Sequence, residues 1–283
     1  MIECRMRREI ILIIIFNVLV IWTMLSCRSI STITYNLETP ALKEQSSIKI
    51  ILISDLHDTM HGKNQVTLIN KVKEQNPDLI ILSGDIIDHY RKRNAVMLLL
   101  AGISGIAPVY YVTGNHEYKT KRIQDIRELF TTNGVIILSD NYTCIEINNN
   151  EIILAGIEDP DKRRYETPNY NQNEIMEEVF RKLDEIKNYK ILIAHRPERI
   201  EVYKRFSFDL ILSGHTHGGQ VRLPFINGLI APHQGLFPKY GGGLYRHKNV
   251  THIISRGLSV YFLPRINNPP ELVVIIIKSE NNE

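Results

Sequence analysis

Cysteine is scarce in this chain. Cys4, Cys27 and Cys144 are the three in 283 residues, too few and too far apart for a disulfide framework or a thiolate zinc cluster. Cys144 is accordingly expected to be a small buried apolar residue. An excess of charge of one sign is missing too: 34 Lys and Arg nearly balance 31 Asp and Glu, leaving a net charge of +3. Three of the basic residues, Arg5, Arg7 and Arg8, stand at the extreme N-terminus. A body this close to neutral is not that of a general nucleic-acid binder, and nothing in the chain calls for an obligate protein partner. Repeats and low-complexity tracts are absent apart from Asn148-Asn149-Asn150, which excludes repeat architectures. What is present is an ordinary globular composition, 43% hydrophobic and 23% charged, long enough for one full α/β domain with an N-terminal appendage.

That appendage is the one long hydrophobic run. From Ile10 to Cys27 there are 18 positions without a charge, preceded by the arginines. As a helix the run spans about 27 Å at ~1.5 Å per residue, just enough for a hydrocarbon core of ~30 Å. Residues 10–25 show no polar face at helical spacing, which argues against a buried core helix. Basic residues before the run place the N-terminus inside and the remainder outside, so the expectation is a transmembrane helix in the cell membrane with an extracytoplasmic domain. The alternative is a secreted or lipid-anchored form cleaved near Cys27. Met24-Leu25-Ser26-Cys27 loosely matches a bacterial lipoprotein cleavage site, and Arg7-Arg8 resembles a twin-arginine export signal without its usual flanks. Residues 28–47 are rich in Ser, Thr, Glu and Gln and predict a linker, leaving 48–278 as the domain and 279–283 as a tail.

Within the domain, apolar β-branched runs alternate with segments of helical spacing. Ile48–Ser54, Asp78–Ser83 and Val109–Thr113 read as buried strands, and Asn64–Gln75, Ala95–Ile103 and Arg122–Thr132 as helices between and after them. This βαβ order predicts a parallel sheet covered on both faces. After Gly134, the short runs Val135–Leu138, Thr143–Ile147 and Glu151–Gly156 predict antiparallel structure with a hairpin at the asparagines. Asn173–Lys187 predicts an amphipathic helix. Lys190–Ala194, Asp209–Ser213, Val250–Ser255, Val260–Leu263 and Glu271–Ile277 complete the strands. Two facing mixed sheets with helices outside fit this order.

The chemistry lies where those strands end. Asp55 and His57 follow the run 50–54, Asp85 follows 79–84, and Asn115 with His116 follow 109–114. His195 follows 191–194, and His215 with His217 follow 210–214. In α/β sheets, ligands bind in the crevice beyond the carboxyl ends of the strands, so five strand ends would gather carboxylates, an amide and several histidines around one volume. Glycines before Asp85, Asn115 and His215 allow the backbone to turn sharply there. A donor set of carboxylate and imidazole without thiolate suits divalent zinc, manganese or iron, whereas calcium wants more oxygen.

In order, Asp55-Leu56-His57, Gly84-Asp85-Ile86-Ile87-Asp88, Gly114-Asn115-His116-Glu117, His195 and Gly214-His215-Thr216-His217 resemble the signature of the calcineurin-like metallophosphoesterase superfamily over about residues 48–278. The strings Gly214–Gln220 and Gly235–Tyr240 resemble its bacterial membrane-associated branch, whose members act on phosphodiesters or pyrophosphates of the UDP-diacylglucosamine type. The resemblance implies a four-layer αββα sandwich and two divalent metal ions. Asp55, His57 and His217 would hold one ion, Asn115, His195 and His215 the other, with Asp85 between them. It further implies hydrolysis of a phosphoester or pyrophosphate by in-line attack of a hydroxide held between the ions. His116 would be the catalytic proton donor. Asp88 and Glu117 are expected to hydrogen-bond a ligand histidine or their own loops, and Arg196 is a candidate phosphate contact. The substrate would be a phosphorylated small molecule or lipid; a non-catalytic, membrane-tethered metal scaffold is the alternative. His61 and His233 lie outside the pattern, on loops that could border the crevice.

Overall fold

A computed structural model of the chain describes residues 6–14, 17, 29–88, 93–223, 225–260 and 265–280. Side-chain alternation along the strands sets its layering. The first six-stranded sheet runs in the order β1 (Ser31–Thr39), β14 (Glu271–Ser279), β2 (Ser47–Ile53), β3 (Leu79–Leu82), β4 (Val109–Tyr111), β5 (Ile136–Ile137). The second runs β12 (Gly243–His247), β13 (Val250–Ile254), β9 (Leu210–Ser213), β8 (Tyr189–Ala194), β7 (Asn150–Ile157), β6 (Asn141–Ile147). A two-stranded antiparallel hairpin, β10 (Ile230–Ala231) with β11 (Gly235–Leu236), forms a separate small sheet.

Strands β2 to β5 are mutually parallel, as are β7, β8, β9 and β13, so the carboxyl ends within each set emerge along one edge. Ile50 and Leu52 of β2, Leu79 and Ile81 of β3, Ile191 and Ile193 of β8 and Leu210 and Leu212 of β9 share one buried cluster between the sheets. Their neighbours face outward: Ile51, Ile53, Ile80 and Leu82 pack with Leu68, Val72, Leu99, Ile126 and Phe130 of the helices Val66–Gln75, Asn94–Ile103 and Ile123–Thr132. On the far side, Leu192, Ala194 and Ile211 pack with Met176 and Phe180 of helix Gln172–Phe180. The layers are therefore helix, sheet, sheet, helix. Each buried Ile or Leu contributes about 1.5–3 kcal/mol. A one-residue slip would exchange the two faces of a strand, so the apolar pattern fixes the register of the central strands.

Five expectations need correction or qualification. Residues 31–39 are not linker: they form β1, parallel to β14 from Ser31 opposite Glu271 to Thr39 opposite Ser279. Ile33, Tyr35 and Leu37 alternate with polar residues, giving a strand that turns one face to the core and the other to water. β5 pairs parallel with β4 rather than joining the antiparallel hairpin of β6 and β7. Cys144 is exposed, because β6 is an edge strand and Cys144 lies on its solvent face between the half-buried Thr143 and Ile145. Among the described residues no helix is long and apolar enough to cross a membrane; residues 6–14 are helical, and most of 15–28 lies outside the described residues. Of the expected strand Val260–Leu263, residues 261–263 are also outside the described residues, and Val260 itself is in no strand.

Candidate metal centre

The loops leaving β2 and β3 are joined by backbone hydrogen bonds. Asp55 N–H donates to Gly84 O at 3.1 Å, His57 N–H to Asp85 O at 3.0 Å and Asp58 N–H to Ile86 O at 3.1 Å. Glu117 secures the same corner. Its buried carboxylate accepts from the N–H groups of Asp85 (3.0 Å), Ile86 (2.7 Å), Ile87 (3.1 Å) and Gly114 (2.8 Å), tying the loop after β3 to the helix Asn115–Lys119 after β4. Burial, followed by the charge of Asp85, pushes the Glu117 carboxyl up to about 7, with the backbone donors opposing.

Asp85 occupies the middle of the cluster. Its Oδ1 accepts from His116 N–H at 2.8 Å, while Oδ2 lies 3.6 Å from His57 Nε2 and 3.3 Å from His195 Nε2. On one side Asp55 and His217 join His57, with Asp55 Oδ1 3.7 Å from His217 Nε2. On the other side His215 Nδ1 lies 3.1 Å from His195 Nε2. Backbone and hydroxyl groups orient these donors. His195 Nδ1–H donates to Ser83 O at 2.8 Å, which leaves Nε2 facing Asp85. His217 Nδ1 meets Ser259 Oγ at 3.0 Å, and Ser54 Oγ–H donates to Asp55 Oδ2 at 2.5 Å. Asp55 also accepts from His215 N–H at 2.9 Å, stitching the first sheet to the second across the rim.

Two glycines are required by space. A Cβ on Gly214 would overlap Ser54 Oγ and Asp55 Oδ2, and one on Gly114 would overlap Asp85 Oδ1. Asp88 faces both His57 Nδ1 (3.9 Å) and His116 Nδ1 (3.7 Å). Arg196 is gripped by Asp159 (2.7 and 2.8 Å) and Asp161 (3.0 Å), and its Nη1 lies 3.1 Å from His233 Nε2. His233 in turn stacks on His215, with Nδ1 2.9 Å from His215 Nε2. His61 is a structural residue, its Nε2 2.8 Å from Leu258 O.

The donor set fits divalent cations. Asn115 Oδ1, one residue before His116, is buried with no hydrogen-bond partner among the described residues, an arrangement that costs free energy unless something binds it. Burial keeps His57, His215 and His217 below the ordinary imidazole range, hence neutral and able to offer lone pairs. At His195 burial acts in the same sense, but Asp85, Asp55 and Asp159 override it and push the imidazole up to about 10. The carboxylates thus attract positive charge at the place where a cation would sit. Asp55, His57, Asp85, His195, His215 and His217 come together at this rim, and Asn115 opens the helix Asn115–Lys119 one residue before His116, whose N–H reaches Asp85. Reading the sequence did not single out Ser54, Ser83, Ser259, Asp159 or the contact of His233, because a serine at a strand end and a histidine in a remote hairpin carry no spacing signal.

A two-sheet sandwich whose strand ends converge on clustered carboxylates, an amide and histidines defines a metallohydrolase. The calcineurin-like phosphoesterase family model matches residues 48–219, and the chain belongs to that family. It is 30% identical over 240 residues to the uncharacterized metallophosphoesterase YkuE of Bacillus subtilis, covering 82% of this chain and 80% of that one. It is 27% identical over 235 residues to phosphodiesterase YaeI of Escherichia coli, covering 80% and 81%. Among solved structures, the NAD nucleotidase NadN of Haemophilus influenzae has a similar fold, with a TM-score of 0.52 at 15% identity over 76% of this chain and 46% of that one. The chain is a metal-dependent phosphoester hydrolase.

Proposed function

We propose that Asp55, His57 and His217 hold one divalent ion, that Asn115, His195 and His215 hold a second, and that Asp85 serves both in the hydrolysis of a phosphodiester or pyrophosphate. The observation that carries this reading is the position of Asp85 Oδ2, 3.6 Å from a donor of the first group and 3.3 Å from a donor of the second, with Oδ1 fixed by backbone. Two such ions, when bound, polarise the phosphoryl group and lower the pKa of water toward ~7. The chain's own contribution is placement and a proton. His116, partly exposed beside the cluster, stands nearly perpendicular to the His57 ring with Nδ1 3.7 Å from Asp88, and it is the group that gives a proton to the departing oxygen. Arg196, braced by Asp159, offers Nη1 at the rim as a cation for phosphate.

The same reading takes residues 10–27 as a membrane tether with the domain outside the cell membrane, and the substrate as a lipid or cell-envelope phosphate, of which a UDP-diacylglucosamine-type pyrophosphate is one example. Its support is the uncharged run of 18 residues behind three arginines. The test is direct. Asp85→Asn loses both bound metal and hydrolysis of a chromogenic phosphodiester, whereas His116→Ala keeps its metal and loses hydrolysis. Full activity in either variant refutes the assignment.

A further inference from the structure

The strand that replaces the expected linker fixes which way the metal rim faces. β1 runs parallel to β14 and β14 antiparallel to β2, so the first residue of β1 lies at the edge where β2 ends. Successive backbone contacts make the connection. Ser31 N–H donates to Pro270 O at 2.8 Å, Glu271 N–H to Gly257 O at 3.1 Å, and Leu258 N–H to Ser54 O at 3.0 Å, one residue before Asp55. Only Arg28 and Ser29 lie between the apolar run ending at Cys27 and the buried Ile30. Three Cα steps at ~3.6 Å hold Ile30 within roughly 11 Å of Cys27, whatever their conformation. The described chain therefore begins, at Ser29 and Ile30, at the edge of the sheet where β2 ends and Asp55 follows.

Apolar side chains stand in water on this rim. Met60 and Val260, 42% and 37% exposed, line a cavity with Ile30 and Lys71 at the point of entry. The segment carrying His233 onto His215 exposes Phe225, Leu236 and Phe237. Exposed apolar side chains beside Lys71, and exposed aromatics on the segment that carries His233, suit the interfacial zone of an anionic bilayer.

We propose that this rim rests on the bilayer surface, so that the site receives a phosphate carried at headgroup depth. The inference depends on the tether reading, and one experiment on the unmodified full chain separates the two. The chain is reconstituted into vesicles of phosphatidylglycerol and brominated phosphatidylcholine, and two signals are read. Trp22, the only tryptophan, lies in the apolar run, and its quenching by bromine reports the tether. Hydroxyl-radical oxidation of Met60 is compared with that of Met97, which is 52% exposed on the helix Asn94–Ile103. The expected result is quenched Trp22 with Met60 oxidised at least five-fold more slowly than Met97. Quenched Trp22 with equal oxidation of the two methionines overturns the orientation and leaves the tether standing. Unquenched Trp22 with protected Met60 assigns the rim to the chain's own apolar run and also overturns the proposal. Unquenched Trp22 with equal oxidation overturns both.

Discussion

Glu117 neither lies among the seven metal-ligand candidates nor faces a substrate, yet replacing it by Gln should disable the site. The carboxylate accepts two backbone N–H groups on each oxygen, Ile86 and Ile87 on Oε1, Asp85 and Gly114 on Oε2. A glutamine amide has one acceptor oxygen and one NH2 group, so whichever way it turns, two backbone donors face a donor. Each buried donor left without an acceptor costs about 1–3 kcal/mol, and the pair about 2–6 kcal/mol. At roughly 2–4 °C per kcal/mol for a domain of this size, Glu117→Gln should lower Tm by about 4–24 °C.

Function should fall by more than folding. The donors that lose their acceptor belong to the segment presenting Asp85 and to Gly114, where even a Cβ would overlap Asp85 Oδ1. Displacing Asp85 by a few tenths of an ångström disturbs both metal groups together. The assay is calorimetry in parallel with metal content by mass spectrometry and hydrolysis of a chromogenic phosphodiester under saturating metal. Expected are the Tm loss, a lowered metal stoichiometry and at least a tenfold loss of hydrolysis. A variant with unchanged Tm, full metal and full activity would refute the argument that this carboxylate organises the corner.

Further expectations rest on separate observations. Asn115→Ala removes an Oδ1 that has no hydrogen-bond partner among the described residues and should lower bound metal to below its normal stoichiometry, with at least a hundredfold loss of hydrolysis; full metal by mass spectrometry would contradict it. Gly214→Ala forces a methyl onto Ser54 and Asp55 and should cost about 1–3 kcal/mol in denaturant unfolding together with most of the activity, and an unaltered midpoint would show that the rim yields more easily than its contacts imply. Chelation should abolish hydrolysis, and re-addition of manganese, zinc or iron should restore it; activity that survives exhaustive chelation is incompatible with the site. Deleting residues 1–40 removes β1, uncovers β14 as an edge and should yield an insoluble chain, whereas deleting 1–29 leaves the strand in place; equal solubility of the two would deny β1 its part in the sheet.

The two central sheets and the gathering of candidate ligands at one rim were legible in the sequence for the same reason. A parallel strand buried on both faces must be an apolar run, and the residues just beyond its carboxyl end must leave the sheet at the ligand-binding edge, so the fragments after 54, 84, 114, 194 and 214 disclosed both fold and site. β1 was hidden because an edge strand needs only alternate apolar residues: Ile33, Tyr35 and Leu37 among Ser, Thr, Asn and Glu read as polar linker until β14 is there to pair with them. Cys144 was misjudged for the related reason that residue type is a weak guide on a strand with one wet face. The capture of Ser83 O by His195, or of Ser259 by His217, joins residues 112 and 42 positions apart and has no local signature.

The rim also departs from local preference where function would lead one to expect it. Asp55, His57, Asp85, His215 and His217 all have positive φ, between 48° and 72°, so five of the seven proposed ligand residues occupy backbone that side chains other than glycine adopt rarely. At about 1–3 kcal/mol each, such conformations persist only where the surroundings over-determine them. Here the surroundings are the hydrogen bonds joining the loops after β2 and β3, the four donors on Glu117 and the grip of Asp55 on His215 N–H, all anchored to strands whose register is fixed by the core between the sheets. The directions of the proposed ligand side chains are therefore held by the scaffold itself. A loop sequence transplanted without its partners would keep the motif and lose the geometry.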